Sequence, residues 1–173
     1  MMKFGVYLAV LTVSTSLLTG CGNDAEEERF RKELIEKALN DDVRKQGDQF
    51  LSDNANQPDV SVTPSGLQYK IIKAGTGEKP KITDVVTVHY EGKRVDGFVF
   101  DSSYKRGEPS SFPLNRVIRG WTEGLSLMNK GAQWELYIKP ELAYGAVSPS
   151  VEIPANSTLI FKVELIDFKA EEK

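Results

Sequence analysis

The chain has 173 residues, of which 40% are hydrophobic and 27% are charged. This balance is typical of a folded globular protein and excludes a disordered one. The formal net charge is −3, and no basic cluster indicates a nucleic-acid partner. With Cys21 as the only cysteine and His89 as the only histidine, an intrachain disulfide and a Cys/His zinc site are excluded. We predict no metal and no cofactor.

The first 20 residues have the pattern of an export signal. Lys3 gives a positive start, residues 4–18 form an uncharged and mostly apolar run, and Leu18-Thr19-Gly20-Cys21 ends it with a cysteine. The run is too short for a transmembrane helix, which needs about 20 apolar residues. The pattern resembles a bacterial lipoprotein signal, so residues 1–20 would be removed and Cys21 would carry lipid such as palmitate. The alternative is an ordinary secretory signal with an incidental cysteine.

The residue after Cys21 bears on where such a lipoprotein would be located. Gly22 resembles a residue that does not retain lipoproteins at the inner membrane. A lipid anchor attaches a protein to a membrane that the chain itself does not span. We therefore predict a lipid-anchored protein of the bacterial cell envelope, on the periplasmic or surface side of the outer membrane.

Residues 24–54 are rich in helix formers and contain no proline. Apolar residues recur at steps of three and four, which indicates an amphipathic helix; they are Phe30, Leu34, Ile35, Ala38, Leu39, Val43, Phe50 and Leu51. Asn40-Asp41-Asp42 is a candidate helix cap, so the segment contains one helix or two. We predict a lipid-anchored helical spacer over residues 21–57. The alternatives are a dimerisation helix within residues 24–54 and a helix packed on its own domain.

After Asn56-Gln57-Pro58-Asp59 the pattern changes to strands, with apolar and polar residues alternating. The alternating segments are centred on Tyr69, Val88, Leu136 and Phe161, and Asp96-Gly97 predicts a hairpin turn before Phe98-Val99-Phe100. One short helix is expected, over residues 122–128. The sequence therefore predicts an α+β domain, an antiparallel sheet with one helix packed on one face.

Six aromatic residues come from six separate segments of this domain; they are Tyr90, Phe100, Phe112, Trp121, Tyr144 and Phe161. Strand alternation places Tyr90 and Phe161 on the more apolar faces of their strands. If these faces point inward, the rings converge between sheet and helix, with Trp121 at the bottom. Such rings form either an ordinary core or the lining of a ligand pocket, and spacing alone leaves both interpretations open.

Five short motifs favour the pocket. They are Val88-His89-Tyr90-Glu91-Gly92, Phe100-Asp101-Ser102-Ser103, Val117-Ile118-Arg119-Gly120-Trp121, Ala143-Tyr144-Gly145 and Ile153-Pro154-Ala155-Asn156-Ser157-Thr158-Leu159. In order and spacing they resemble the FKBP-type peptidyl-prolyl isomerases, over about residues 65–168. The lead-in Phe50-Leu51 to Asn54-Ala55, followed by Thr63-Pro64-Ser65-Gly66-Leu67-Gln68-Tyr69, resembles the bacterial macrophage infectivity potentiator-type subgroup.

This resemblance implies an FKBP-like antiparallel half-barrel sheet wrapped around one short helix, preceded by an N-terminal helical segment. The isomerase domain would cover residues 58–168, followed by a charged tail over residues 169–173. The implied activity is peptidyl-prolyl cis-trans isomerisation (rotamase, EC 5.2.1.8) that assists the folding of exported, proline-containing polypeptides. A non-catalytic chaperone using the same pocket is the alternative, and tacrolimus and rapamycin are candidate ligands.

The resemblance also implies roles for ten residues. The catalytic set would be Tyr90, Phe100, Asp101, Ile118, Tyr144 and Phe161, and the substrate-binding set would be Phe112, Val117, Trp121 and Ile153. Trp121 would form the floor under the proline ring, and Gly120 would let the chain turn tightly before it. Asp101 would pair with Arg106, orient Tyr90 or polarise the site; its alternative is an Asp-Ser-Ser turn that caps its own backbone.

Three positions depart from the small members of that family. Ser110 stands where an aromatic residue is common, Glu152 stands where an apolar residue is common, and Pro149 lies in the flap. We use "the flap" for the loop over residues 144–153. These changes predict a more open, more negative rim and an altered preference for the residue before proline. His89, on the opposite strand face from Tyr90, is expected to be structural or exposed.

Overall fold

The computed structural model describes residues 23–39 and 41–170. The predicted signal peptide, Cys21 and residues 171–173 of the predicted tail lie outside the described residues. The chain divides into two compact units, Met1–Ile35 and Glu36–Lys173. Helix α1 (Asn23–Leu39) spans the division. Across the described ranges, no helix combines the length and the apolar character that crossing a membrane requires.

The second unit is built on an antiparallel sheet, which has seven strands within residues 41–170. They are β1 (Val60–Val62), β2 (Gln68–Lys73), β3 (Asp84–Arg94), β4 (Val99–Ser102), β5 (Ser110–Pro113), β6 (Gln133–Ile138) and β7 (Leu159–Ala170). Six of them follow the order β1-β2-β6-β7-β3-β4, and β5 also pairs with β3. Strand β7 runs into the predicted tail, because Lys169 and Ala170 still pair with Val85 and Asp84 of β3.

Two helices lie between the strands of this unit, where one was predicted. The expected helix is α4 (Arg119–Leu127), which begins three residues earlier than predicted, with Ile118 as its N-cap. The unpredicted helix is the single turn α3 (Ser103–Arg106). The Ser102 side chain caps it by accepting from the Lys105 N–H, and Gly107 ends it at φ 81°. A serine before the turn and a left-handed glycine after it are ordinary helix-end signals.

Helix α4 packs closely on the inner face of the sheet, and its glycines allow that approach. A Cβ atom on Gly120 would lie 2.6 Å from Cγ2 of Ile138, and one on Gly124 would lie 2.9 Å from Cδ1 of Leu136. Gly120 is not among the glycines with positive φ. The expectation that Gly120 permits a tight turn is therefore wrong: it is required because a side chain there would collide with β6.

Helix α2 (Asp42–Asn54) covers the other face of the sheet. Its Leu51 is buried in a cluster with Tyr137 of β6 and Ile160 of β7. The Gln68 side chain donates to the Leu51 carbonyl over 2.8 Å and accepts from the Asn54 amide over 2.8 Å. Of the three interpretations of the N-terminal segment, packing on its own domain describes α2.

Gly47 is buried where α2 meets the segment before β7. A Cβ atom there would lie 2.4 Å from Oγ1 and 2.9 Å from Cβ of Thr158. We expect Gly47→Ala to lower the free energy of unfolding by about 1–3 kcal/mol through overpacking, although alanine is the better helix former. Urea unfolding measures the change, with the exposed Lys45→Ala on the same helix as control. Unchanged stability in Gly47→Ala would contradict the docked position of α2.

Candidate active site

A cavity of about 700 Å³ lies where strands β3, β4, β5 and β7 meet the N-terminal end of α4. The structure brings all ten sequence-predicted site residues to its lining: Tyr90, Phe100, Asp101, Phe112, Val117, Ile118, Trp121, Tyr144, Ile153 and Phe161. Arg116, Pro149 and Ser150 also line it and were not predicted as site residues. The sequence signal that could have identified them is proximity to predicted site residues: Arg116 precedes Val117, and Pro149 and Ser150 lie within the flap.

Trp121 forms the centre of an aromatic cluster at this cavity. Only 4% of its surface is exposed. The rings of Tyr90, Phe161 and Phe112 meet it edge-on, with centroids at 5.2, 5.3 and 5.8 Å. Phe100 packs edge-on against Phe161 at 5.6 Å. Edge-to-face contacts of this kind favour defined ring orientations, so packed aromatic rings form the apolar part of the cavity wall.

One wall of the cavity carries a polar network. The Tyr90 hydroxyl donates to Oδ2 of Asp101, and Arg106 donates to Oδ1 of the same carboxylate. The Arg106 guanidinium also donates to the Tyr90 hydroxyl and to the Ser110 hydroxyl, each over 3.1 Å, and lies over the Tyr90 ring. Asp101 thus contacts Tyr90 and Arg106, the two partners considered from sequence. The side chain that caps the following turn is that of Ser102. Ser110, one of the departures, contributes to holding Arg106.

The flap covers the remaining side of the cavity. Tyr144, Pro149, Ser150 and Ile153 line it, whereas Glu152 is not among the lining residues. The Glu152 carbonyl instead accepts a hydrogen bond from Nη1 of Arg94 over 2.9 Å. Outside the cavity, His89 stacks on Tyr104 with ring centroids 4.7 Å apart, and its Nδ1 lies 2.9 Å from Oγ of Ser103.

Burial raises the pKa of the Tyr90 hydroxyl, and its hydrogen bond to Asp101 raises it further. Burial likewise raises the pKa of Tyr144, with a smaller contribution from the charge of Asp101. A tyrosine whose folded pKa is raised keeps its proton through the neutral range and loses it only above about pH 10. Both hydroxyls therefore remain donors under physiological conditions.

The raised pKa values of Tyr90 and Tyr144 predict how any activity that uses the two hydroxyls depends on pH. Because both pKa values are raised, the hydroxyl proton is fully present below about pH 10, the unfolded value, and is lost only as the pH rises through the higher folded value. We expect tyrosine ionisation to cause no loss of kcat/KM between about pH 7 and about pH 9.5. A pH–rate profile measures this. A loss near pH 8 that disappears in Tyr144→Phe would contradict it.

Sequence comparison places the chain among known proteins. Residues 76–166 match the profile described as "FKBP-type peptidyl-prolyl cis-trans isomerase". The chain belongs to the FKBP family. Residues 16–71 match the profile of the domain amino-terminal to FKBP-type peptidyl-prolyl isomerases. The predicted family is thus confirmed.

Individual FKBP relatives extend the match. The chain is 52% identical over 120 residues to "Peptidyl-prolyl cis-trans isomerase Mip" of Coxiella burnetii, covering 69% of this chain and 52% of that protein. It is 48% identical over 147 residues to "Outer membrane protein MIP" of Legionella longbeachae, covering 82% and 63%. The chain therefore spans about half to two thirds of the length of these relatives.

A solved structure confirms the predicted FKBP-like fold with preceding helices. The crystal structure of FkpA from Escherichia coli aligns with a TM-score of 0.73 at 44% identity, covering 84% of this chain and 69% of that chain. The mixed fold, an antiparallel sheet that wraps α4 and follows N-terminal helices, is the one expected from the five motifs.

Proposed function

We propose that this FKBP-family chain is a peptidyl-prolyl cis-trans isomerase that assists the folding of exported proteins. One observation carries the proposal: the ten residues assigned by the family resemblance line a single apolar cavity with Trp121 inside its aromatic cluster. The proposed substrates are proline-containing segments of unfolded polypeptides, and no cofactor is involved.

The reaction suits a cavity of this kind. Rotation about the X–Pro bond is slow because amide resonance must be broken, at a barrier of about 18–20 kcal/mol. No bond to another atom is made or cut, so the catalyst need only bind the twisted amide more tightly than either planar form. The twisted amide has a less polar carbonyl, which favours apolar surroundings. Each tenfold in rate requires about 1.4 kcal/mol of such preference.

The catalytic residues can be assigned roles from their positions. Ile118 is the N-cap of α4, and a backbone N–H at a helix start has no partner within the helix; it would donate to a carbonyl beside the proline. The Tyr144 hydroxyl would donate to a second carbonyl. Phe100 and Phe161 would form, with Tyr90, the walls that the twisting carbonyl meets. Asp101 would hold Tyr90 in place.

The substrate-binding residues would receive the proline ring. Trp121 would lie beneath it, and Phe112, Val117 and Ile153 would surround it. Tacrolimus and rapamycin are proposed ligands of the same cavity. Because Ser110 is small and Pro149 lies on the lining, the preference for the residue before proline would differ from that of small FKBPs.

The proposed location is the bacterial cell envelope. A relative carries the name "Outer membrane protein MIP", and the sequence predicts a signal peptide over residues 1–20 and a lipidated Cys21. The chain would be anchored by lipid to the outer membrane. Helix α1 carries exposed apolar side chains at Phe30, Leu34 and Ile35, and we propose this stripe as the contact of a dimer.

A second candidate function is a chaperone that binds clients without catalysis. The flap favours it, because Val147 is 68% exposed and Val151 is 96% exposed. Exposed apolar side chains beside a binding cavity offer a surface to unfolded polypeptides. This alternative needs the cavity only as a docking groove.

An isomerase assay on the purified protein separates the two functions. NMR exchange between the cis and trans forms of a short X-Pro peptide reports turnover directly, and chemical-shift changes in the peptide report binding. We expect acceleration at catalytic concentrations of protein. Binding without acceleration, from folded protein, would contradict the isomerase and favour the docking groove.

A further inference from the structure

We propose that helix α2 is a positioning element for the flap. It acts through the contact of Arg44 with Glu141, just before the flap, and through the contact of Gly47 with Thr158, just after the flap. Neither the motifs nor the cavity lining includes these residues. The inference rests on the proposed function, because the flap carries Tyr144 and Ile153. It adds that α2, which precedes the isomerase domain in sequence, sets how well the flap is ordered for substrate.

The first contact lies before the flap. Arg44 of α2 donates through Nη1 to Oε1 of Glu141 and through Nε to Asp48 over 2.8 Å. The Arg44 side chain is only 19% exposed, while that of Glu141 is 45% exposed. Glu141 belongs to the 3-10 turn Pro140–Leu142, which ends two residues before Tyr144. The ion pair therefore ties α2 to the turn from which the flap starts.

The same turn is connected to both sides of the cavity. Arg119, the first residue of α4 and the neighbour of Ile118, donates through Nη2 to the Glu141 carbonyl. The Pro140 carbonyl accepts from the Gly145 N–H over 2.8 Å. Glu141 thus lies between α2, the start of α4 and the backbone that flanks Tyr144. A shift of α2 would therefore also displace the backbone at Ile118 and at Tyr144, the two residues to which we assign hydrogen-bond donors.

The second contact lies after the flap. Gly47 is in direct van der Waals proximity to Thr158, which leaves no space for a Cβ atom. Two residues earlier, the Asn156 N–H donates to the Gly145 carbonyl over 2.8 Å, which closes the loop. Asn156 has φ 61°, the one positive φ at a non-glycine within residues 23–39 and 41–170. The loop closure is therefore a strained backbone site that surrounding contacts must hold.

These contacts are expected to affect local order more than global stability. A partly exposed ion pair adds little to the free energy of unfolding. Local opening, in contrast, depends on the few contacts of the segment that opens. If α2 holds the flap, loss of the Arg44–Glu141 pair leaves a flap that substrate must order on binding. The expected effect is a higher KM with a smaller change in kcat.

The test is a double-mutant cycle with Arg44→Ala, Glu141→Ala and the double variant, all in the full chain. We expect each single variant to raise amide hydrogen exchange at Gly145 and Asn156 by about 3- to 10-fold. Each should lower kcat/KM by a similar factor, mostly through KM. The double variant should show the same change as the more strongly affected single variant, because both substitutions remove the same contact. Lys130→Ala is the matched control: it breaks an exposed ion pair with Asp167 at 2.6 Å and should change neither readout.

Two outcomes would overturn the proposal. One is unchanged exchange at both amides in Arg44→Ala; the other is fully additive effects in the double variant. Failure of the proposed function is distinguishable, because exchange is measured without substrate. A parent protein that is inactive yet shows faster exchange in Arg44→Ala would reject the isomerase and leave the contact between α2 and the flap standing.

Discussion

Replacing Gly92 with alanine is expected to lower kcat/KM by about 10- to 100-fold. A Cβ atom at Gly92 would lie 2.6 Å from Cε2 of Phe100 and 2.7 Å from Cε1 of Phe161. Gly92 pairs with Phe161 across β3 and β7, so backbone movement cannot relieve the clash easily. Both rings would have to move, and both are proposed walls of the reacting amide. Peptide isomerisation measured against wild type gives the change.

The control for Gly92→Ala must lose stability without moving these rings. Overpacking costs about 1–3 kcal/mol, so some destabilisation is expected at Gly92. Gly131→Ala is suitable, because Gly131 has φ 81° and open space around its Cβ position. It should lose stability through backbone strain and retain activity. Full activity in Gly92→Ala would contradict the assignment of the two phenylalanines as catalytic walls.

Replacing Trp121 with alanine is expected to cost about 3–5 kcal/mol of unfolding free energy. The ring is almost fully buried and contacts three aromatic rings edge-on, so its removal leaves a large void and ends those contacts. Substrate affinity should fall as well, because Trp121 is the proposed floor under the proline ring. Urea unfolding and peptide titration measure the two effects.

Trp121→Phe separates shape from hydrogen bonding at this position. The buried Nε1 of Trp121 has no hydrogen-bond partner among the described residues. Replacement by phenylalanine therefore reduces the side-chain volume without breaking a hydrogen bond. We expect this variant to retain most of its stability and a measurable part of its activity. A loss as large as that of Trp121→Ala would show that the indole nitrogen contributes more than these contacts indicate.

Much of the site was accessible from sequence because it is encoded locally. Strand alternation put Tyr90 and Phe161 on the more apolar faces of their strands without reference to any relative. It could not separate a core from a pocket, since both require buried rings. The five motifs supplied that distinction, and all ten transferred positions line the cavity.

What sequence reasoning missed depends on contacts between distant segments. The docking of α2 includes the close fit of Gly47 against Thr158, which lies 111 residues later in the chain. A lone glycine in a helix gives no sign of its partner. Gly120 was misinterpreted for the same reason, since Ile138 is the residue it must avoid. The role of Ser110 in holding Arg106 likewise follows from three-dimensional proximity.

The most direct test of the central claim, that this cavity catalyses X-Pro isomerisation, is the exchange rate of one X-Pro peptide with matched phenylalanine variants. Phe100→Ala removes a proposed wall, whereas Phe30→Ala makes the same change at a side chain on α1 that is 61% exposed and outside the cavity lining. We expect wild type and Phe30→Ala to accelerate exchange equally, and folded Phe100→Ala to be about 10-fold slower or worse, a loss of about 1.4 kcal/mol of transition-state binding. Equal rates in all three proteins, or no acceleration by wild type, would contradict catalysis at this cavity.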